Sequence, residues 1–237
     1  MKVLGLIPAR GGSKSIPYKN IAPLAGRPLL AYTCEAALRS RHLTRVLLST
    51  EDERIAQVGR TCGVEVPFLR PHELARDDTP SLPVAQHAVR WLIEHEGWEP
   101  DVLMLLQPTS PLRGAHHIDT ALERLVQADA DTVVSVIEVP HRFHPYSLMQ
   151  LQDGWLQDFW KESLSFDRFR RQNLPVLYAR NGPAILASRV AVLFEHQSFY
   201  GPRVIPYVMR MEESVDIDTP LDLRLAEWLI ARRPETS

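Results

Sequence analysis

An α/β fold, a mostly parallel sheet covered by helices on both faces, is what this sequence predicts, and three observations predict it. Apolar runs bounded by turn residues alternate with helical patterns, the signature of parallel strands joined by crossover helices. The first run, Val3 to Ile7, opens directly into Pro8-Ala9-Arg10-Gly11-Gly12-Ser13-Lys14, a strand ending in a glycine turn. At 237 residues, with 45% hydrophobic and 24% charged residues, the chain is long enough to bury a substantial core in one domain.

The elements come in order. Strand-like runs fall at 2–7, 45–49, 64–69, 101–107 and 132–139, with helical stretches at about 28–40, 52–62, 83–95 and 115–128 between them. In the third helical stretch Val84, Ala85, Ala88, Val89, Leu92 and Ile93 share one face, and Pro83 fits a first helical position, whose N–H has no acceptor. From 140 to 177 the pattern breaks into aromatic, His, Pro and Arg residues with neither period, which predicts an excursion from the sheet. Strand-like returns near 183–187 and 203–209 precede a final amphipathic helix from Pro220. With no internal repeat, low-complexity segment or linker, residues 1–237 read as a single domain with a protruding arm at about 140–177.

Composition narrows the partners. No apolar run approaches the roughly 20 residues that span a bilayer, and strand-like sequence from Lys2 leaves no room for a signal peptide, so the expectation is a cytoplasmic protein with no membrane partner. The two cysteines, Cys34 and Cys62, are too few for a disulfide framework or a cysteine zinc site and sit in apolar helical patterns. A net charge of -2 without a Lys/Arg stripe argues against a nucleic-acid partner. Yet no carboxylate precedes Glu35, whereas Lys2, Arg10, Lys14, Lys19 and Arg27 concentrate five positive charges around the glycine turn. Bare backbone N–H groups with a guanidinium and an ammonium at the end of a strand fit a polyphosphate. The turn matches neither Gly-x-x-x-x-Gly-Lys-Ser/Thr nor Gly-x-Gly-x-x-Gly.

Three further segments carry chemistry. On extended backbone, Asp216-Ile217-Asp218 points both carboxylates to one side, where they can share a hard cation; alternatively it leads into a helix start, with Thr219 as cap, Pro220 in the first turn and Asp222 completing a capping box. The apolar run Leu105-Leu106 ends in Gln107-Pro108-Thr109-Ser110-Pro111-Leu112-Arg113, and a residue at the carboxyl end of such a strand faces ligand. Arg70 and Ser81, flanking a proline-fixed loop, can read a pyrimidine edge; taken alone, that segment is a connection between strand and helix. The His116-His117 pair opens a helix, where capping or packing is expected rather than metal binding.

Five ordered segments, IPARGGSKSIPYKN at 7–20, LRPHELARDDTPS at 69–81, LLQPTSPLR at 105–113, RRQNLP at 170–175 and SVDIDTPLD at 214–222, resemble the N-acylneuraminate cytidylyltransferase family, enzymes that make CMP-sialic acid and CMP-activated relatives. The resemblance implies a Rossmann-like three-layer nucleotidyltransferase fold with a dimerisation arm, and a homodimer. It implies Mg²⁺ and transfer of CMP from CTP to the anomeric hydroxyl of a 2-keto-3-deoxy sugar acid, releasing pyrophosphate. The catalytic set is then Arg10, Lys19, Asp216 and Asp218, with both aspartates as metal ligands. The nucleotide falls to Arg10, Gly11, Gly12, Ser13, Lys19, Asn20, Arg70, Thr79 and Ser81, and the sugar to Gln107, Arg171, Asn181, Phe199 and Tyr200. Two departures lie on the sugar side. Ser147 stands where sialic-acid members carry a lysine, and Ile185 where the family has a tyrosine. A legionaminic, pseudaminic or Kdo-type sugar acid is therefore a candidate beside sialic acid. The rivals are a metal-dependent glycosyltransferase, whose acidic pair would come after the mid-chain strand where Gln107-Pro108-Thr109 stands, and a non-catalytic sugar-nucleotide-binding protein.

Overall fold

The computed structural model describes residues 1–13, 15–160 and 174–232. Along the chain these form β1 (Val3–Pro8), β2 (Pro23–Leu24), β3 (Arg27–Pro28), α1 (Leu29–Leu38), β4 (Arg45–Ser49), α2 (Glu53–Thr61), α3 (Ser81–Glu96), β5 (Val102–Leu105), α4 (Ala115–Gln127) and β6 (Thr132–Glu138). Next come β7 (Met149–Gln152), β8 (Trp155–Asp158), β9 (Tyr178–Arg180), β10 (Leu186–Arg189), α5 (Val190–Glu195), β11 (Val204–Val208) and α6 (Pro220–Ile230).

Seven strands build one sheet in the order β11-β6-β10-β5-β1-β4, with β9 also paired to β6. β4, β1 and β5 run parallel, as do β6 and β11, while β10 enters antiparallel between β5 and β6. The sheet is thus mostly parallel with antiparallel β9 and β10 added, a mixed arrangement that apolar periodicity does not encode.

Strand alternation divides the core into two layers. Val3, Ile7, Val46, Leu48, Val102 and Met104 face α1, α2 and α4 through Cys34, Ile55, Ile118, Leu122 and Leu125. Leu4, Leu6, Leu47, Leu103 and Leu105 face α3 and α5 through Ala85, Val89, Leu92, Val190 and Leu193. A third, smaller cluster joins Ile16, Leu24 and Leu29 to Ile217 and Ala226. This cluster brings the two ends of the chain together.

Three expectations shift. Residues 64–69 do not form a strand: Glu65 alone bridges to Leu47, through backbone hydrogen bonds with Leu48 and Val46, and Pro67 then offers no N–H to extend the ladder. The third helix begins at Ser81 rather than Pro83, which still lies in the first turn where a missing N–H costs nothing. The return strand is 186–189, because Gly182-Pro183 occupies a turn. Within 140–177, two short 3-10 turns lead to the β7–β8 hairpin, and residues 161–173, with Arg171, lie outside the described residues. No helix among the described residues is long and apolar enough to cross a membrane.

Candidate active site

The glycine turn lies at the carboxyl end of β1 and does not lead straight into α1. The backbone instead passes through Ser13 to a 3-10 turn at Lys19–Ile21. The glycine turn is clasped from three sides. Asn20 Nδ2 donates to the Arg10 carbonyl at 2.9 Å, Gly11 N–H donates to Glu51 Oε1 at 2.7 Å, and the Arg10 guanidinium pairs with Asp77. Glycine is required at 11: a Cβ there would stand 2.8 Å from Asp52 Oδ2, the carboxylate that caps α2.

Lys19 links this turn to the far end of the chain. Its Nζ donates to the Ile217 carbonyl at 2.7 Å and lies 3.1 Å from Asp218 Oδ1. Ile217 is wholly buried in the third cluster, so the residues on either side turn away from it. Asp218 is exposed, whereas Asp216 is half-buried with one carboxylate oxygen, Oδ1, that has no hydrogen-bond partner among the described residues. Burial pushes the Asp216 carboxyl above the usual range; the Thr109 hydroxyl opposes this, the Asp218 charge adds to it, and Lys19 opposes it. A carboxylate with one unpartnered oxygen, near a second acidic side chain, fits a divalent cation by the chemistry of its donors.

The helix-start reading of the Asp-x-Asp segment is realised, and it leaves the two aspartates outside the helix. Thr219 caps α6, and the Asp222 carboxylate accepts from Thr219 N–H at 2.7 Å and Asp218 N–H at 3.1 Å, a completed capping box. The helix start fixes the segment from one side. From the other, Ile217 N–H donates to the Thr109 carbonyl at 2.8 Å, so the Gln107–Arg113 turn is the dock for the aspartates. That turn is held from beneath by Arg113, which is buried without a carboxylate and donates to the Gln107 carbonyl at 3.2 Å, the Ala184 carbonyl at 2.7 Å and Thr33 Oγ1 at 2.8 Å. Burial lowers its pKa to about 9. Gln107 itself is half-buried just beyond β5.

The sugar-side assignments fare differently. Asn181 accepts from Ser135 Oγ at 2.5 Å and donates to Ser214 Oγ at 2.8 Å, which makes it a brace between β6 and the aspartate segment. At Gly182, with φ of 113°, a Cβ would stand 3.1 Å from Asp216 Oδ2, so glycine here lets the backbone pass beside the carboxylate. Phe199 packs into the core on the α3 face, and its carbonyl accepts from Thr132 Oγ1 at 2.7 Å. Only Tyr200 of that pair is half-buried, accepting from Arg180 at 3.2 Å. Ile185 is also wholly buried, so that departure alters packing.

Arg70 is buried at the start of the loop that leads to Thr79 and Ser81. Its Nη2 lies 3.3 Å from Glu51 Oε2, and its Nε is buried without a partner, a donor left over after folding. Thr79 donates weakly to the Glu73 carbonyl at 3.4 Å, and Ser81 opens α3. His117 Nδ1 accepts from Gly114 N–H at 2.9 Å, which makes the histidine a helix cap, and its Nε2 lies 3.5 Å from Glu213 Oε2. His116, His117 and Glu213 together offer three potential metal-ligand atoms.

A profile of the cytidylyltransferase family matches residues 4–233. The chain belongs to this family. It is 34% identical over 226 residues to an N-acylneuraminate cytidylyltransferase of Escherichia coli, covering 95% of this chain and 51% of that protein. It is 33% identical over 244 residues to the CMP-N,N'-diacetyllegionaminic acid synthase of Legionella pneumophila, covering 99% of each. The chain thus spans about half the length of the first relative and nearly all of the second. Among solved structures it is similar to CMP:2-keto-3-deoxy-manno-octonic acid synthetase complexed with CTP, at a TM-score of 0.68 and 17% identity over 98% of this chain and 99% of that one. The 4-diphosphocytidyl-2C-methyl-D-erythritol synthase of Anaerococcus prevotii gives a TM-score of 0.65 at 10% identity, covering 98% of this chain and 99% of that one. These two show the Rossmann-like nucleotidyltransferase fold. Glu51 and Asp77 escaped the reading from sequence, although Glu51 stands just past a strand end, the place where ligands sit in such sheets.

Proposed function

We propose that the protein transfers CMP from CTP to the anomeric hydroxyl of a sugar acid of the 2-keto-3-deoxy type, with release of pyrophosphate. The observation that carries this reading is the reach of Lys19 from the segment after the glycine turn to Asp218, which brings a cationic turn and an acidic pair together. In this reading Arg10 and Lys19 take the β- and γ-phosphates of the leaving group, and the buried Arg70 donor, with Ser81 and the Thr79 backbone, takes the cytosine edge. Positioning and charge neutralisation do the chemical work, as is general for such transfers. Asp216 and Asp218 would hold a magnesium ion, which supplies charge neutralisation at the α-phosphate and lowers the pKa of the attacking hydroxyl.

On the sugar side, Gln107 at the end of β5 and Arg171 are the groups for the acid sugar, Arg171 by the forked donors that match a carboxylate. One relative matched along 99% of its length is a CMP-N,N'-diacetyllegionaminic acid synthase, and Ser147 replaces the ammonium found in sialic-acid members. Both support a legionaminic-type acid as first candidate. The β7–β8 hairpin exposes Met149, Leu151, Trp155 and Leu156, an apolar area that supports pairing of two copies through the arm.

The test is pyrophosphate release from CTP with magnesium and a panel of sialic, legionaminic, pseudaminic and Kdo acids. Release with at least one nine-carbon acid, and none from UTP, is expected. Turnover of a nucleotide sugar with none of CTP would overturn the reading.

A further inference from the structure

Glu51 joins the two halves of the nucleotide site, and no motif singled it out. Its side chain is only 12% exposed and that of Arg70 4%, so both charges lie out of water and each needs the other. One carboxylate oxygen accepts from Gly11 N–H at 2.7 Å, and the other lies 3.3 Å from Arg70 Nη2. The backbone on either side repeats the connection, since Arg70 N–H donates to the Thr50 carbonyl at 2.8 Å and the Asp52 carboxylate packs against Gly11. Arg70 feels the charge of Arg10, on the same turn as Gly11, as a repulsion, which the Glu51 carboxylate offsets. The tip of β4 is therefore a strut between the phosphate turn and the loop that begins at Arg70.

We propose that Glu51 is a positioning residue that aims the Arg70 guanidinium at the base edge while fixing the glycine turn, and that selectivity for cytosine over uracil depends on it. This inference rests on the nucleotide reading given above. One face of Arg70 is spent on Glu51 and its Nε is unpartnered among the described residues, so the carboxylate decides which donors remain for a ligand. Glutamine at 51 has the same shape, but it offers one oxygen and one NH₂ in place of two acceptors. Whichever way the amide turns, a donor then meets either Gly11 N–H or Arg70.

The experiment compares Glu51→Gln with the native protein for binding of CTP and UTP by calorimetry, and for turnover with each nucleotide at saturating sugar acid. The expected result is a KM for CTP raised about tenfold, a preference for CTP over UTP narrowed at least about fivefold, and a KM for the sugar acid within twofold of native. Glu51→Asp, which keeps the charge but shortens the reach, should retain more of the preference than Glu51→Gln and serves alone if the latter does not fold. Equal losses on CTP and UTP, or an unchanged preference, would overturn the role of Glu51. A native protein that binds CTP selectively without turnover would sink the transfer reading and leave Glu51 to be judged on binding. If neither nucleotide binds, both proposals fall.

Discussion

Lys19 Nζ lies 3.1 Å from the Asp218 carboxylate although 199 residues of chain separate them. The ammonium also donates to the neighbouring Ile217 carbonyl, so its position is set by backbone as well as by charge. Asp218→Ala should therefore leave the fold intact, because Ile217 and the Thr219 cap hold the segment. Magnesium-dependent pyrophosphate release should fall at least about 100-fold. An unchanged rate at saturating magnesium would remove Asp218 from the metal site.

Arg10 is paired with Asp77, a partner that a triphosphate would displace in the proposed reading. Both side chains are partly exposed, so the pair is weak, worth about 0.2–1 kcal/mol. Asp77→Asn should accordingly lower the KM for CTP by about two- to fivefold with kcat unchanged. Initial rates across a CTP series check this, and a raised KM would show that Asp77 helps to hold the nucleotide.

Arg113 keeps two carbonyls and a hydroxyl satisfied inside the molecule. Methionine fills similar space but leaves the Gln107 and Ala184 carbonyls without donors. Arg113→Met should cost about 3 kcal/mol or more, a Tm lower by roughly 6–12 °C, and should also impair turnover because the Gln107–Thr109 turn docks the aspartates. A normal melting curve with normal activity would contradict this account.

Asp119 tests the pH dependence of stability. Burial raises its pKa, but the Ser40 hydroxyl, at 2.6 Å, and the Arg41 N–H groups outweigh this and hold it below the usual aspartate value. A carboxyl depressed in the folded state contributes stability above its unfolded pKa and loses it as pH falls through the folded one. Asp119→Asn should therefore lower the Tm at pH 7 by an amount that shrinks below about pH 4. Melting curves from pH 7 to pH 3 would reveal it.

The exposed hairpin gives a test of assembly. Sedimentation should find the native protein as a dimer, and replacing Leu151 and Trp155 together by serine should shift it toward monomer. A native monomer at working concentration would end the pairing proposal.

Much of this was legible in the residues. Strand ends, helix caps and the glycine turn obey local rules, which is why β1, β4, α2 and the Thr219 box lie close to where the pattern puts them. Short motifs did mark residues that the fold brings together, as Lys19 at one end of the chain with Ile217 and Asp218 at the other. It was not legible where one residue serves another far along the chain. Nothing local marks Glu51 as the partner of Gly11 and Arg70, or the Gln107 turn as a dock for Ile217. The burial of Phe199 was hidden for the same reason: an aromatic beside a tyrosine gives no sign of which face of the sheet it will meet.

The placement of β10 bears on how the chain is made. Residues 186–189 wedge between β5 and β6, two strands synthesised well before them. Until that stretch leaves the ribosome, the outer rim of β5 and the inner rim of β6 have no neighbour, and unpaired rims invite contact between nascent copies. A polypeptide halted after α4 would carry β4, β1 and β5 with one raw margin, so late truncations should be more prone to clump than the finished protein.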